Sequence, residues 1–214
     1  MSVRVSAPGK LMLAGEYSVL GPKGRSLSVA VDSGVSIYAE KADQWYLEWP
    51  SAEASWREGD TVSPQLTFLH AAMQSSLNSM ASCAPMRLVS ESEFVTNKRG
   101  LGGSASAVTA ACAAIQVIHG GAIDVETLLP IALSAHAKGQ GRVGSGYDVA
   151  TSCLGGLVSW QREDAVGTRL QWPGDLQLLA GFTGQSASTS SFLGKLEALR
   201  SADSERLNAE LIEL

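Results

Sequence analysis

The segment KRGLGGSASAVTAACAAIQVI, which begins at Lys98, is the feature that most constrains the fold of this 214-residue chain. Three glycines and two serines stand at the start of an Ala- and Val-rich run that predicts a helix over about 104–119. Glycine lets a backbone approach a bound group closely, and a helix N-terminus presents unpaired N–H groups with partial positive charge. The pattern therefore predicts an anion site, most often one for phosphate.

Composition limits the partners and the compartment. The chain is 45% apolar and 17% charged, so it can bury a sizeable core. Its net charge is −5, and no Lys/Arg-rich block stands out, which argues against a nucleic-acid partner. The three cysteines follow no zinc spacing, and neither a signal peptide nor a membrane-spanning run is visible. These features predict a cytoplasmic protein with no membrane partner.

Alternating apolar residues predict strands, and helical spacing predicts helices. The predicted strands are VRVSA, ended by a turn at Pro8-Gly9, and then LSVAVDSGVSIYAE, QWYLEWP, MRLVSESEF, LVSWQ and LQLLAGF. The predicted helices cover about 64–80, 104–119, 125–137 with Asp124 as N-cap, a short stretch after GQGRVGSG, 189–199 and 204–214. Because most strands precede the helices, the predicted class is α+β rather than alternating βαβ.

Three kinds of nucleotide loop compete for the glycine-rich segments. A P-loop is excluded because no GxxxxGK followed by Ser or Thr occurs. A dinucleotide fingerprint matches GLGGSA at 100–105 and GQGRVG at 139–144, yet the first follows a charged connection and the second follows a helix. A nicotinamide-dependent oxidoreductase would need a βαβ unit, so the pattern favours a kinase loop outside the Walker class.

Three motifs carry a resemblance to a known family. APGKLMLAGEYSVL at 7–20, GLGGSASA at 100–107 and GSGYDVA at 144–150 resemble, in the same order, motifs of the GHMP kinases. Longer segments, AHAKGQGRVGSGYDVATSCLGG and FTGQSASTSSFLGKL, are similar to the phosphomevalonate kinase branch of that family. The resemblance implies a GHMP kinase fold of the α+β class. Its N-terminal, ATP-binding domain would cover 1–172 and be similar to ribosomal protein S5 domain 2.

The end of the chain carries further expectations. By the same resemblance, residues 173–214 would begin a ferredoxin-like C-terminal domain, truncated because the family's third glycine-rich motif is not found. Leu207, Leu211 and Leu214 share one face of a helix that has no C-cap signal. An exposed apolar face of this kind predicts self-association or a homodimer.

The resemblance also implies an activity. It predicts an ATP- and Mg²⁺-dependent kinase acting on a small phosphorylated substrate, 5-phosphomevalonate, to give 5-diphosphomevalonate in isoprenoid synthesis. The alternatives are mevalonate kinase or another small-molecule GHMP kinase, and a non-catalytic ligand-binding relative. The ASTS segment at 187–190 favours the phosphomevalonate branch.

Individual residues receive roles from the resemblance, each with a structural alternative. Asp148 would orient the acceptor, or act as a helix-end carboxylate, and Lys10 would bridge the transferring phosphoryl group, or be a surface lysine. Ser104 would offer its hydroxyl to Mg²⁺ or phosphate, or cap its helix. The predicted nucleotide contacts are Lys98, Gly100, Leu101, Gly102, Gly103, Ser104, Ala105 and Ser106. The predicted substrate contacts are Lys10, Glu16, Tyr17, Ser145, Gly146, Ser186, Ser188 and Thr189.

Two residues near the second glycine segment are interpreted differently. Ala137 stands near the place of the glutamate that binds metal in mevalonate kinase, so the metal-binding carboxylate has no clear match. His136 is interpreted as structural, because phosphoryl transfer to an ionised oxygen does not need a base.

Overall fold

The computed structural model of the chain describes residues 1–21, 23–80, 82–92, 100–163, 165–182 and 184. The strands in this part are β1 (Ser2–Ala14), β2 (Arg25–Lys41), β3 (Tyr46–Trp49), β4 (Ala54–Arg57), β5 (Met86–Ser92), β6 (Leu157–Gln161) and β7 (Val166–Leu170). The helices are α1 (Thr67–Ser79), α2 (Gly103–Ile118), α3 (Val125–Gln140) and α4 (Tyr147–Leu154). Among these residues, no helix has the length and apolar character needed to cross a membrane.

The described strands form one sheet organised around the long strand β2. Strand β2 pairs antiparallel with β1, with β5 through its C-terminal half, and with β6 through its N-terminal end. Strand β3 joins β5 in parallel, whereas β4 and β7 add antiparallel pairs at the outer ends. The order is β4-β3-β5-β2-β6-β7, with β1 also beside β2. This mainly antiparallel sheet with its helices confirms the predicted α+β class.

Helix α2 forms the centre of the core. Twelve of its sixteen residues are buried, and it packs against β1 and β2 as well as α1, α3 and α4. A helix that is apolar on nearly every side is stable only when it is enclosed. The glycine loop therefore leads into the most enclosed helix of the described structure, and its position is fixed by the core.

Strand β1 continues through Pro8 and Gly9, so the predicted turn at these residues is wrong. The register on β2 shifts between the two residues, and such a β-bulge tolerates a proline that has no N–H to donate. A Cβ on Gly9 would lie 2.5 Å from the carbonyl oxygens of both Leu101 and Ser33. Glycine at this position lets β1 pass directly beside the loop that precedes α2.

The remaining elements agree with the sequence in part. Asp124 caps α3 as predicted, because its carboxylate accepts hydrogen bonds from the N–H groups of Glu126 and Thr127. Strands β4 and β7 were not predicted. The strand predicted at LQLLAGF is wrong, since 176–182 pairs with no described strand and Leu179 is 92% exposed. The helices predicted near 189–199 and 204–214, including Leu207, Leu211 and Leu214, lie outside the described residues.

A buried serine attaches α2 to the sheet and gives a stability prediction. The Ser106 hydroxyl donates to the Ala7 carbonyl oxygen at 2.6 Å and accepts from the Val35 N–H at 2.8 Å. We expect Ser106→Ala to lower the free energy of unfolding by about 1–3 kcal/mol, because both backbone groups lose a buried partner. Urea denaturation measures this change. The control Ser55→Ala, at an exposed position of β4, should change stability by less than about 0.5 kcal/mol. Equal effects would contradict the prediction.

Candidate active site

Strand β1 holds two helices through consecutive carbonyl groups. Ser106 of α2 donates its hydroxyl to the Ala7 carbonyl, and Ser152 of α4 donates its hydroxyl to the Pro8 carbonyl at 2.9 Å. These two buried serines fix α2 and α4 relative to one another. Each helix also begins directly after a glycine-rich segment, so the same strand fixes both predicted loops.

Lys10 lies directly against the first glycine loop, although 90 positions separate it from Gly100. Its backbone N–H donates to the Leu101 carbonyl at 2.8 Å, and its ammonium Nζ donates to the Gly100 carbonyl at 3.0 Å. Gly102 has φ +76°, and a Cβ there would lie 2.8 Å from Cγ of Lys10. The loop fits against the aliphatic part of Lys10 because Gly102 has neither a side chain nor a preference for negative φ.

The N-terminus of α2 supplies hydrogen-bond donors. Gly103, Ser104 and Ala105 occupy its first three positions, where backbone N–H groups have no acceptor within the helix. Ala105 is fully buried, whereas Gly103 and Ser104 are half-buried, so the accessible donors at this helix end belong to Gly103 and Ser104. The structure corrects the nucleotide contact predicted for Ser106. Its backbone N–H donates to the Gly102 carbonyl at 3.0 Å, and its hydroxyl bonds to the sheet.

Helix α4 places Tyr147, the residue before Asp148, beside Lys10. The ammonium Nζ of Lys10 lies 5.3 Å from the centre of the Tyr147 ring, a distance at which a cation is attracted to the ring face. Burial raises the pKa of Tyr147; Lys10 opposes that rise, and the negative charges of Asp148 and Glu16 add to it. Two residues with predicted catalytic roles, Lys10 and Asp148, therefore lie around one aromatic side chain.

His136 of α3 connects the starts of α2 and α4. Its Nε2 lies 3.1 Å from the Ser104 hydroxyl oxygen and 3.8 Å from Oδ2 of Asp148. The side chain is buried, and burial lowers the pKa of His136, an effect that Asp148 opposes. The sequence interpretation gave His136 no contact with the site. Its position three residues before the second glycine segment, in AHAKGQG, was the only available signal.

The other predicted substrate contacts differ in what they offer. Glu16 and Tyr17 lie in an exposed turn after β1. The Ser145 carbonyl accepts a hydrogen bond of 2.8 Å from Nε1 of Trp160. Gly146 has φ +79°, and a Cβ there would lie 2.8 Å from Leu133, so this glycine is needed for the start of α4. The predicted contacts Lys98, Ser186, Ser188 and Thr189 lie outside the described residues.

A hydroxyl oxygen near His136 suits a metal ion that binds mainly through the substrate's phosphates. Among the described residues there is no group of three or more His, Cys, Asp or Glu side chains that could hold a metal. Mg²⁺ commonly takes one or two protein oxygens and completes its octahedron with waters and substrate phosphates. The Ser104 hydroxyl, 3.1 Å from Nε2 of His136, could supply one such oxygen.

An open cavity of about 710 Å³ borders the same part of β1. Its walls include Ala7 and Pro8 of β1, Gly34 of β2, the end of β5, and the residues Pro50 and Ser51. Sites for small molecules typically have volumes of 300–1,000 Å³. Sequence reasoning missed this cavity because its walls come from several segments that share no motif.

The fold and the site together define a class of protein. A lysine from the first strand and a glycine loop meet at a helix N-terminus, and a carboxylate begins the next helix of the site. This arrangement suits an anion such as phosphate and contains no Walker lysine. Residues 67–156 match the family described as GHMP kinases N terminal domain. The matched region runs from α1 to the end of α4, and over these residues the chain is similar to the GHMP kinases.

Curated relatives extend the match beyond that domain. The phosphomevalonate kinase of Saccharolobus solfataricus is 26% identical over 201 residues, covering 90% of this chain and 61% of the relative. The mevalonate kinase of Aeropyrum pernix is 27% identical over 171 residues, covering 75% of this chain and 51% of the relative. This chain therefore spans between half and two thirds of the length of these relatives.

Solved structures share the fold. The Lin0012 protein of Listeria innocua superimposes with a TM-score of 0.85 at 23% identity, over 99% of this chain and 69% of that one. The phosphomevalonate kinase of Streptococcus pneumoniae, in complex with phosphomevalonate and AMPPNP, gives a TM-score of 0.65 at 20% identity, over 76% of this chain and 50% of that one. At these identities the likeness establishes the common fold.

Proposed function

We propose that this chain provides the ATP-binding part of a phosphomevalonate kinase-like enzyme, which converts 5-phosphomevalonate to 5-diphosphomevalonate with ATP and Mg²⁺. The observation that carries the proposal is the position of Lys10, bonded to Gly100 and Leu101 at the entrance to α2. A cation beside unpaired helix N–H groups suits a polyphosphate. The names of the relatives support the choice of acceptor.

The nucleotide phosphates are expected at the start of α2. The half-buried residues Gly103 and Ser104 present backbone N–H groups at the helix end, where the helix dipole favours negative charge. Gly102 permits a close approach, since it has no side chain. The Ser104 hydroxyl is the protein oxygen that we assign to Mg²⁺, which would supply neutralisation of phosphate charge when bound. The neighbouring cavity has the size expected for the nucleoside.

Phosphoryl transfer depends mainly on positioning and on neutralising charge. In this proposal Lys10 exchanges its bond with the Gly100 carbonyl for the oxygens of the transferring group. Asp148 orients the acceptor and the lysine ammonium. A base is hardly needed when the acceptor is a phosphate oxygen, because that oxygen is already largely ionised at neutral pH.

Mevalonate is the second candidate acceptor, and the match to a mevalonate kinase favours it. Its reacting oxygen belongs to a hydroxyl group, so Asp148 would then be required to accept a proton. The alternatives of a different small-molecule acceptor or a non-catalytic binding role are distinguished by the same assay.

Several broader assignments accompany the proposal. We assign residues 1–172 to the ATP-binding domain and 173–214 to the start of a second domain; the last described strand, β7, ends at Leu170. The substrate contacts predicted for Glu16, Tyr17, Ser145 and Gly146 remain part of the proposal. We also assign the protein to the cytoplasm, where its acceptor would be a free metabolite.

A coupled ADP-release assay tests the proposed function. The 214-residue chain is supplied with ATP, Mg²⁺ and, in separate reactions, 5-phosphomevalonate, mevalonate, galactose or homoserine. We expect ADP release above background with 5-phosphomevalonate, and little with the other three. A clear preference for mevalonate would establish the second candidate instead. ATP binding with no turnover on any acceptor would support a binding role.

A further inference from the structure

His136 occupies a buried position between three helices. Its ring stacks on Phe68 of α1, with ring centres 5.4 Å apart and the planes inclined by 29°. Nε2 faces the Ser104 hydroxyl of α2 at 3.1 Å and Oδ2 of Asp148 of α4 at 3.8 Å. Gln140, one turn further along α3, brings its amide nitrogen to 3.2 Å from both ring nitrogens. The imidazole is therefore held by packing on one face and by polar groups along its edge.

The Gln140 amide nitrogen lies equally far from both ring nitrogens, so the tautomer is assigned by asking which one satisfies every partner. The Gln140 amide nitrogen is a donor, so the ring nitrogen that it addresses must accept. If Nδ1 accepts from Gln140, Nε2 carries the proton and donates to the oxygen of Ser104. The hydrogen-bond network supports this assignment. It satisfies the amide and both ring nitrogens together.

The direction of that bond has a consequence for Ser104. A hydroxyl that accepts a hydrogen bond from His136 keeps its own hydrogen free to donate elsewhere. Ser104 is the second residue of α2, at the same end as the unpaired backbone N–H groups. The free hydroxyl hydrogen can then join those N–H groups as a donor toward an anion. With the opposite tautomer the hydroxyl would donate to His136 and present only lone pairs.

We infer that His136 is a positioning residue that orients the Ser104 hydroxyl as a donor toward a phosphate bound at the start of α2. This inference rests on the proposed function, because it requires a polyphosphate at that helix end. His136 does not touch the ligand and acts through Ser104. The carboxylate oxygen Oδ2 of Asp148, 3.8 Å from Nε2 of His136, lies at the edge of the same network.

A double-mutant cycle on ligand binding tests the inference. The Kd values of ATP and adenosine are measured by titration calorimetry for the wild-type chain, Ser104→Ala, His136→Phe and the double variant. Phenylalanine preserves the stacking on Phe68 and removes both ring nitrogens. We expect each single variant to weaken ATP binding roughly tenfold, as the loss of a hydrogen bond to a charged group implies. The double variant should be no weaker than the singles, and adenosine binding should not change.

Two further variants separate positioning from packing. His136→Gln keeps a donor near the place of Nε2, so we expect it to bind ATP within about threefold of the wild-type chain. His119→Phe is the matched control, since His119 follows the far end of α2 and contacts Cys83 at 3.1 Å. It should leave ATP binding unchanged. Thermal unfolding of each variant shows whether the chain remains folded.

Different outcomes refute different parts of the account. Unchanged ATP affinity in a folded His136→Phe chain, or additive losses in the double variant, would overturn the role of His136 and leave the proposed function intact. A wild-type chain that binds ATP no better than adenosine would overturn the phosphate site and, with it, this role. Nitrogen NMR of the wild-type chain gives a test that needs no variant at His136: a proton on Nδ1 rather than Nε2 would refute the assignment.

Discussion

Replacing Asp148 with asparagine is expected to reduce turnover on the order of 10²-fold or more, while the affinity for ATP stays nearly constant. Removing one preorganised electrostatic group from an active site commonly has an effect of this size. In the proposed function the carboxylate acts on the acceptor side, so its loss is felt in the transition state more than in the bound ground state. ADP-release kinetics and ATP titration measure the two quantities separately.

The structure makes asparagine a clean substitution at this position. Oδ1 of Asp148 accepts a hydrogen bond of 3.0 Å from the Val149 N–H, and an amide oxygen can accept the same bond, so the start of α4 is preserved. Asp124→Asn is the matched control, because it removes a carboxylate from the N-terminus of α3 outside the proposed site. A change of only a few-fold for Asp148→Asn would show that Asp148 is a structural helix-end residue.

The second large effect is expected from Gly102→Val, which should weaken ATP binding by at least about tenfold. Gly102 has φ +76°, and its Cβ position lies 2.8 Å from Cγ of Lys10. A β-branched side chain would therefore displace the lysine stem and resist the left-handed backbone conformation. Both changes disturb the expected phosphate site. Titration calorimetry with ATP measures the loss.

A second glycine allows the backbone cost to be separated from the effect on the site. Gly120 also has positive φ, at +84°, and a Cβ there would meet no atom within 4 Å. Gly120→Val should therefore lose stability for the same conformational reason and keep its ATP affinity. Normal ATP affinity in a folded Gly102→Val chain would exclude the loop from the site.

Local signals accounted for the parts of the fold that depend on neighbouring residues. Helix α2 and the Asp124 cap of α3 follow from periodicity and from capping chemistry, both of which are local. The turn predicted at Pro8-Gly9 was wrong because pairing with β2 holds both residues in a bulge. The strand predicted at 176–182 was wrong because an alternating pattern makes a strand only where a partner strand is available.

The same distinction between local sequence patterns and long-range packing applies to the site. Motifs predicted Lys10, Gly102 and Asp148 as site residues, because each stands in a glycine-rich setting that can be recognised in sequence. The contact of His136 with Ser104 depends on the packing of α3 against α2, and no local pattern encodes it. Ser106 shows the converse: a residue inside the loop motif belongs to the core.

The bonds along β1 also determine which positions can change as the sequence diverges. The bond from the Lys10 N–H to the Leu101 carbonyl joins main-chain atoms, so it persists whatever side chain occupies position 101. Divergence is restricted where an added carbon would collide with backbone, at Gly9, and where a hydroxyl must donate, at Ser106 and Ser152. A divergent sequence can therefore change the side chain at position 101 and still keep the same contact between its lysine and its loop.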